Sequence, residues 1–202
     1  MMLIKDEINE AGMELLAKKS PSSYNHCIRV AMIAQQFAPR LNLSPEQQQL
    51  LVHGCYLHDL GKLFIPSSIL EREGGLSDEE WQVMKLHPSC GGQASERCRN
   101  SLSQDALDVI TYHHERWDGG GYPEGLTGPS IPYFARICAI IDTFDSMISN
   151  RCYRKSMPYE EAIAELRKNS GTQFDPELVE PFIAFTASPS FPMIMYKMSI
   201  AI

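Results

Sequence analysis

The sequence predicts an all-α fold in which helices pack around one core. Apolar residues recur at helical spacing along most of the chain, and several helix starts carry capping patterns. No segment shows the alternation of apolar and polar residues that is typical of a strand. The 202 residues are 44% hydrophobic, which suits one domain with a substantial core. Caps and periodicity together predict about seven to nine helices.

Five helices are predicted in the first half of the chain. Four of them cover about residues 1–20, 23–38, 44–61 and 77–87, and a short one is predicted to begin at Ile69-Leu70. Ser44 and Ser77 each begin a capping box that Gln or Glu completes three residues later. Gly61 can end the third helix, and Pro88 disfavours helical conformation at His87, so the fifth is predicted to stop there. The predicted apolar face of the first helix consists of Ile4, Ile8, Leu15 and Leu16.

Four further helices are predicted in the second half. They cover about residues 104–116, 132–148, 158–171 and 175–182. The second of these is strongly apolar, yet it contains Asp142 and Asp145, whose carboxylates need partners in such a setting. Residues 188–202 are apolar without a pattern, and they could pack on the core or on another chain.

Charge and cysteine usage exclude several classes of function. The formal net charge of -7 argues against a partner that is DNA or RNA. The six cysteines form no Cys-x-x-Cys pair, so a thiolate zinc site is not expected. The N-terminus lacks the pattern of a signal peptide, and no apolar run is long enough for a membrane span. A cytoplasmic protein without a membrane partner is therefore expected.

His58 and Asp59 lie at the end of an apolar helical run, and Lys62 follows one turn later. A charged carboxylate in an apolar setting is costly unless a cation compensates it. A metal ion together with Lys62 would meet that need. A solvated helix end with an ordinary salt bridge would produce the same local pattern, so this stretch alone leaves both interpretations open.

Further residues of ligand type occur on core faces or at helix ends. His26 shares a helix face with Val30, Ile33 and Phe37, where a hydrogen-bonded core histidine is the alternative. The glycine-dense segment 118–125 would ordinarily be a flexible surface turn. The complete set of candidate metal ligands is His26, His58, Asp59, His87, His113, His114 and Asp142.

This set contains nitrogen and carboxylate oxygen without sulfur, which favours iron, manganese or zinc. It exceeds the needs of one tetrahedral ion, so we expect two ions bridged by a carboxylate, with Asp59 as the bridge. Two adjacent cations suit phosphate-ester hydrolysis, because they activate water and neutralise phosphoryl oxygens. Catalytic roles are therefore predicted for Asp59 and for Lys62, which would stabilise developing charge.

These motifs together resemble one known family. His58-Asp59 with Lys62, His113-His114-Glu115, and the run Asp118 to Leu126 are similar to the HD-GYP domain. That domain is a subgroup of the HD metal-dependent phosphohydrolases and degrades the bacterial second messenger cyclic di-GMP. The similarity continues through Ile131-Pro132, Ala135-Arg136-Ile137, Asp142 to Asp145, Arg151 to Arg154 and Phe174-Asp175-Pro176.

The resemblance implies an HD-domain helical bundle with an HD-GYP C-terminal extension. It divides the chain into an N-terminal helix at 1–21, the HD-GYP domain at 22–183 and an apolar tail at 184–202. It implies a centre of two or three metals, usually iron or manganese, held by the seven residues above. It also implies substrate contacts from Lys62, Gly121, Tyr122, Pro123, Asp145, Arg151 and Arg154.

One departure from the family bears on metal count. Trimetallic members carry a glutamate four residues before the position of His26, where this chain has Ser22. A serine hydroxyl is a poor ligand for a hard cation, and Ser22 is better placed to cap a helix. We therefore expect two metals, and linear pGpG as the main product of cyclic di-GMP hydrolysis.

Two alternative functions stay open from the sequence. One is an HD phosphohydrolase acting on another nucleotide, including a mixed cyclic dinucleotide, and the intact Gly121-Tyr122-Pro123 argues against a generic HD enzyme. The other is a non-catalytic cyclic di-GMP binding module, against which the complete ligand set argues. The sequence shows no sensory domain, so the expected partners beyond the dinucleotide are a second copy in a homodimer or a separate regulatory protein.

Overall fold

A computed structural model describes residues 7–96, 102–149, 156–189 and 191–192 of the chain. These residues contain α-helices and no strand, which confirms the all-α prediction. The ten helices are α1 (Glu7–Lys19), α2 (Pro21–Phe37), α3 (Pro45–Leu57), α4 (Ser67–Leu70), α5 (Asp78–Met84), α6 (His87–Glu96), α7 (Gln104–Tyr112), α8 (Tyr133–Ile148), α9 (Tyr159–Lys168) and α10 (Pro176–Thr186). Three short 3₁₀ helices cover Ala38–Arg40, Leu60–Phe64 and Gly128–Ser130.

The main core lies among helices α2, α3, α7, α8, α9 and α10. Its largest members are aromatic, and Phe37 packs edge-on against Phe182 with ring centroids 5.2 Å apart. Phe144 packs edge-on against the same Phe182 ring at 5.3 Å. Contacts of this kind contribute about 0.5–1.5 kcal/mol each beyond the area that they bury. Two of the helices that carry the site, α2 and α8, are thus joined through this aromatic centre.

A second core cluster joins α1 to the opposite side of the site. It contains Cys27 and Leu57, which are sequence neighbours of two predicted ligands, together with Leu16, Leu60 and Ile110. All five are buried. The site segments of α2 and α3 are therefore packed from two directions.

Both predicted capping boxes form, which confirms the starts of α3 and α5. The Ser44 hydroxyl accepts from the Gln47 amide, and the Gln47 side chain accepts from the Ser44 amide at 2.9 Å. Ser77 and Glu80 make the same exchange. Asp175 caps α10 by accepting from the Glu177 amide at 2.9 Å.

The first helix differs from its prediction. Leu15 is 55% exposed, whereas Met13 and Leu16 are buried. The buried face is Asn9, Met13, Leu16 and Ser20, at helical spacing, and Leu15 lies about 100° away from Leu16 on the helix. Ile4 and the side chain of Ile8 lie outside the described part of the chain.

Ser22 does not cap α2, contrary to the prediction. The N-cap position is Ser20, and Ser22 is the second residue of the helix because α2 begins at Pro21. The Ser22 side chain is exposed, and its hydroxyl lies 3.3 Å from that of Ser20.

Helix ends near the site also differ from their predictions. α3 ends at Leu57, before Gly61, and α7 ends at Tyr112 rather than at 116. The proline after His87 begins a helix there instead of only ending one, so α6 was missed.

α10 runs through the boundary predicted at 183, and Phe191 packs in the main core against Phe144 and Phe185. The remainder of the predicted tail, from 193, lies outside the described residues.

Candidate metal centre

The structure brings all seven predicted ligands together at one buried site. They come from the interior of α2, the end of α3, the start of α6, the end of α7 and the interior of α8. These residues include two groups, and within each group the candidate ligand atoms lie within 4.8 Å of one another. The first is Asp59, His87, His113 and His114, and the second is His26, His58 and Asp59.

Asp59 belongs to both groups, and its carboxylate lies between them. Its Oδ1 is 3.2 Å from Nε2 of His87 and 3.9 Å from Nε2 of His113. Its Oδ2 is 3.5 Å from Nε2 of His58 and accepts a hydrogen bond from the Lys62 ammonium. Burial alone would raise the pKa of Asp59, but the Lys62 ammonium and the neighbouring His58 and His87 rings outweigh it and hold the pKa well below its usual value. The carboxylate is therefore ionised, as a bridging ligand must be.

His58 provides the test of whether a metal fits this site. Its Nδ1 donates to the carbonyl of Cys55 at 2.8 Å, so the lone pair is on Nε2. That Nε2 is buried and has no hydrogen-bond partner among the described residues. Burial lowers the pKa of His58, which keeps the ring neutral. A buried acceptor without a partner costs about 1–3 kcal/mol, and a cation at this point would satisfy it.

Two histidines of the first group, His87 and His113, are oriented by backbone carbonyls, and His113 and His114 are neutral. Nδ1 of His87 lies 2.8 Å from the carbonyl of Met84, and Nδ1 of His113 lies 3.0 Å from that of Ile110. Burial lowers the pKa of His113 well below its usual value and that of His114 to about 3. Neutral imidazole with its other nitrogen donating to a carbonyl is the usual form of a metal-bound histidine.

Asp142 lies at the edge of the second group. Asp142 Oδ1 lies 2.7 Å from Nε2 of His26 and 4.0 Å from Nε2 of His58. Burial lowers the pKa of His26, but its bonds to Asp142 and Asp145 outweigh this and the pKa is raised. Metal binding releases protons from its ligands. Once His26 has lost the proton that it shares with Asp142, the donor set of both groups is nitrogen and ionised oxygen, and it fits divalent metal ions of intermediate hardness.

Gly61 explains how His87 is brought to Asp59. A Cβ at Gly61 would lie 1.8 Å from the carbonyl oxygen of His87 and 2.6 Å from the amide nitrogen of Gly91. The 3₁₀ helix after Asp59 therefore packs directly on the backbone of α6. Gly61 therefore allows this close approach, rather than ending α3 as the sequence suggested.

The glycine-dense segment is a held loop beside the site. Glu115 is buried, and its carboxylate accepts from the amides of Glu124 at 2.7 Å, Gly125 at 3.1 Å and Leu126 at 3.0 Å. The Tyr122 amide donates to the His114 carbonyl at 3.2 Å, and the Tyr122 ring stacks on His114 with centroids 4.9 Å apart. The alternative of a flexible surface turn does not describe this loop.

The predicted substrate contacts have different placements. Tyr122 and Gly121 line the His114 side of the site, while Pro123 is exposed beside them. Lys62 is bonded to Asp59. Arg151 and Arg154 lie outside the described residues.

Asp145, a predicted substrate contact, does not reach the open side of the site in this structure. Its side chain has no exposed surface, and it lies behind His26. One oxygen is 2.7 Å from Nδ1 of His26, and both oxygens accept from Arg29 at 2.8 Å. The spacing rule that placed Asp145 one turn from Asp142 is right, but the helix turns its carboxylate toward α2.

Comparison with known proteins identifies the family. The protein-family model described as "HD domain" matches residues 10–178 of this chain. This chain belongs to the HD domain family. The match confirms the superfamily that the sequence resembled.

Relatives of this HD domain include proteins named as phosphodiesterases. A "Cyclic di-GMP phosphodiesterase" of Thermotoga maritima is 37% identical over 177 residues, covering 88% of this chain and 48% of the relative. A "3'3'-cGAMP-specific phosphodiesterase 2" of Vibrio cholerae is 37% identical over 170 residues, covering 81% of this chain and 33% of the relative. The chain thus spans about half or less of the length of these relatives.

Solved structures agree with the fold of this HD domain. The crystal structure of a cyclic GMP-AMP-specific phosphodiesterase of V. cholerae matches with a TM-score of 0.66 and 23% identity. The match covers 92% of this chain and 49% of that one. Within the described residues, none of the helices combines the length and the apolar character that a membrane span needs.

Two residues of the HD domain site were missed from the sequence. Arg29 follows His26 by three residues, so the spacing rule for one helix face could have found it. The Lys85 ammonium lies 5.6 Å from the Tyr122 ring centroid, and no pattern in the sequence connected α5 to the glycine loop.

Proposed function

We propose that this HD domain is a cyclic di-GMP phosphodiesterase that uses two divalent metal ions, iron or manganese, and releases mainly linear pGpG. The observation that carries the proposal is the position of Asp59 in both ligand groups. Relatives named as cyclic di-GMP phosphodiesterases support the substrate. Zinc is the third candidate metal, since its ligand preferences overlap.

The chain's own residues have separable tasks in this mechanism. His87, His113 and His114 would hold one ion, His26, His58 and Asp142 the other, and Asp59 both. When bound, the ions supply an activated water and positive charge for the phosphoryl oxygens. Lys62 is fixed to Asp59 by its hydrogen bond, which places an ammonium beside the bridging carboxylate. We assign it the stabilisation of charge that develops on the phosphate.

Substrate orientation is assigned to the glycine loop. Tyr122 presents a half-buried ring over His114, and burial raises the pKa of its hydroxyl, which stays protonated at neutral pH. A protonated phenol can donate to a phosphate oxygen or stack on a base. Gly121 allows this approach, because a Cβ there would lie 2.4 Å from the Arg116 amide nitrogen.

A mixed cyclic dinucleotide is the second candidate substrate. The V. cholerae relative named for 3'3'-cGAMP is as similar in identity as the T. maritima relative. Metal-loaded protein should be given cyclic di-GMP and 3'3'-cGAMP together under anaerobic conditions, with products separated by chromatography. The proposal expects faster loss of cyclic di-GMP. Faster loss of 3'3'-cGAMP would transfer the assignment to that substrate, and loss of neither would support a binding module.

Arg151→Ala is expected to weaken substrate binding by about 1.5–3 kcal/mol. The substrate is a dianion, and a charge-assisted hydrogen bond to phosphate is of this size. Calorimetry with a non-hydrolysable cyclic di-GMP analogue would measure the change. Arg167→Ala is the control, since Arg167 is exposed and pairs with Glu180 in the described structure. Equal affinity of the Arg151 variant and the control would remove Arg151 from the site.

Ser22→Glu is expected to raise metal content above two ions per chain and to speed the conversion of pGpG to GMP. The motivating observation is an exposed serine where trimetallic relatives of the HD-GYP subgroup carry a glutamate. Gln36→Glu is the control, because it adds the same charge to α2 at an exposed position about 15 Å from His26 along the helix. Three bound metals in the unmutated protein, or rapid GMP formation by it, would contradict the two-ion proposal.

A further inference from the structure

Three metal-site histidines have their Nδ1 atoms beside backbone carbonyls, and His26 does not. His58, His87 and His113 each lie at a helix end and contact a carbonyl three or four residues earlier. Their orientation is therefore built into the backbone. His26 lies in the interior of α2, where the preceding carbonyls accept from the helix's own amides. Its Nδ1 needs an acceptor from another element.

Asp145 of α8 is that acceptor. Its Oδ2 lies 2.7 Å from Nδ1 of His26, while Nε2 of the same ring faces Asp142 and the ligand cluster. Asp145 is separated from solvent, so it neither reaches substrate nor offers an open position to an ion. It contacts the side of the ring that faces away from the cluster.

Arg29 fixes the Asp145 carboxylate in turn. Its Nε donates to Oδ1 and its Nη2 to Oδ2, both at 2.8 Å, in the paired geometry of guanidinium and carboxylate. The Ser149 hydroxyl donates to Oδ1 at 3.2 Å. The carboxylate is thus held from three sides, and its charge is compensated inside the protein.

We propose that Asp145 and Arg29 are positioning residues for the metal site that contains His26. By accepting a hydrogen bond from the Nδ1–H group, Asp145 selects the tautomer whose Nε2 lone pair points to the ion. The same bond makes Nε2 a stronger metal ligand. The other ion has no ligand that depends on this pair. Loss of the pair therefore weakens one of the two metals selectively. The inference rests on the two-ion site of the proposed function and is independent of the substrate.

Titration of metal-free protein with Mn²⁺ alone tests the proposal. In Asp145→Asn, the amide can donate to Nδ1 and thereby favour the wrong tautomer of His26. Affinity for one ion is expected to fall about 10- to 100-fold, the usual effect of losing such a partner. Affinity for the other ion should stay within about twofold. At two equivalents of Mn²⁺, the unmutated protein should show the electron paramagnetic resonance signal of a coupled manganese pair, and Asp145→Asn should show that of an isolated ion.

Asp175→Asn is the matched control. Asp175 is a buried carboxylate paired with Arg136 at 2.6 Å, and it belongs to neither ligand group. The substitution should lower thermal stability and leave both metal affinities unchanged. If Asp145→Asn and Asp175→Asn lose metal alike, Asp145 has only a structural role and the proposal is wrong.

Arg29→Lys keeps the charge but loses the paired geometry, and it decides the matter if Asp145→Asn does not fold. The expected result is the same selective loss, smaller in size. The proposal would be overturned if either this variant or Asp145→Asn kept its affinity for both ions. It would also be overturned if the unmutated protein bound a single ion. If selective loss occurs but the unmutated protein hydrolyses no cyclic dinucleotide, the proposed function fails and the positioning role stands.

Discussion

Asp59→Ala is expected to lose most of its bound metal and all detectable hydrolysis. Asp59 is shared by the two ligand groups, so its removal takes one ligand from each ion and ends their connection. It also leaves the Lys62 ammonium, its former partner, as an uncompensated positive charge beside the vacated position. That charge repels cations from both sites. Elemental analysis of the purified variant, with a cyclic di-GMP assay on the same sample, measures both effects.

Asp105→Ala is the control for the lost charge. Asp105 is an exposed carboxylate in the first turn of α7, away from the ligand groups. Its variant should retain full metal content and activity. Unchanged metal content in Asp59→Ala would contradict the shared role of Asp59. Circular dichroism of both variants separates metal loss from unfolding.

Gly61→Ala is expected to have the second largest effect, on stability and metal binding together. The added methyl group would collide with the backbone of α6 at His87 and Gly91, and backbone atoms cannot rotate away as a flexible side chain can. α6 must shift, and it carries the ligand His87 with it. Overpacking of this kind typically costs about 1–3 kcal/mol. The affinity for the ion held by His87 should fall at the same time.

Gly75→Ala is the matched control for Gly61→Ala. A Cβ at Gly75 would meet no atom within 4 Å. Denaturant unfolding of the metal-free proteins measures the stability change, and Mn²⁺ titration measures the binding change. If Gly61→Ala retains the stability and metal affinity of the Gly75 variant, the close approach of the two segments does not position His87.

The seven candidate ligands could be proposed from the sequence because most of them have a local signal there. His58 and Asp59 end an apolar run, His113 and His114 end another, and Asp142 lies in a strongly apolar helix. Burial of such polar groups requires a compensating partner, and residues with the same requirement tend to share it. Their convergence follows from packing the helices by their apolar faces, so the composition of the site was accessible without coordinates.

Features that depend on contacts between distant segments were not accessible. The packing of Gly61 on α6 and the pairing of Arg29 with Asp145, 116 residues apart, have no local periodicity that predicts them. α6 itself was missed because Pro88 and Gly91-Gly92 are residues that ordinarily interrupt a helix. There, tertiary packing outweighs propensity, since Gly91 and Gly92 allow the close contacts that larger residues would block.

The shared role of Asp59 is tested most directly by measuring cyclic di-GMP hydrolysis against the equivalents of Mn²⁺ added to metal-free protein under anaerobic conditions. If the two ions fill in order and act together through Asp59, pGpG formation should be slight up to one equivalent of Mn²⁺ and should rise steeply toward two equivalents. Metal bound per chain, determined on the same samples, should reach two at full activity. Full activity at one bound ion per chain, or no hydrolysis at two, would contradict the two-ion phosphodiesterase.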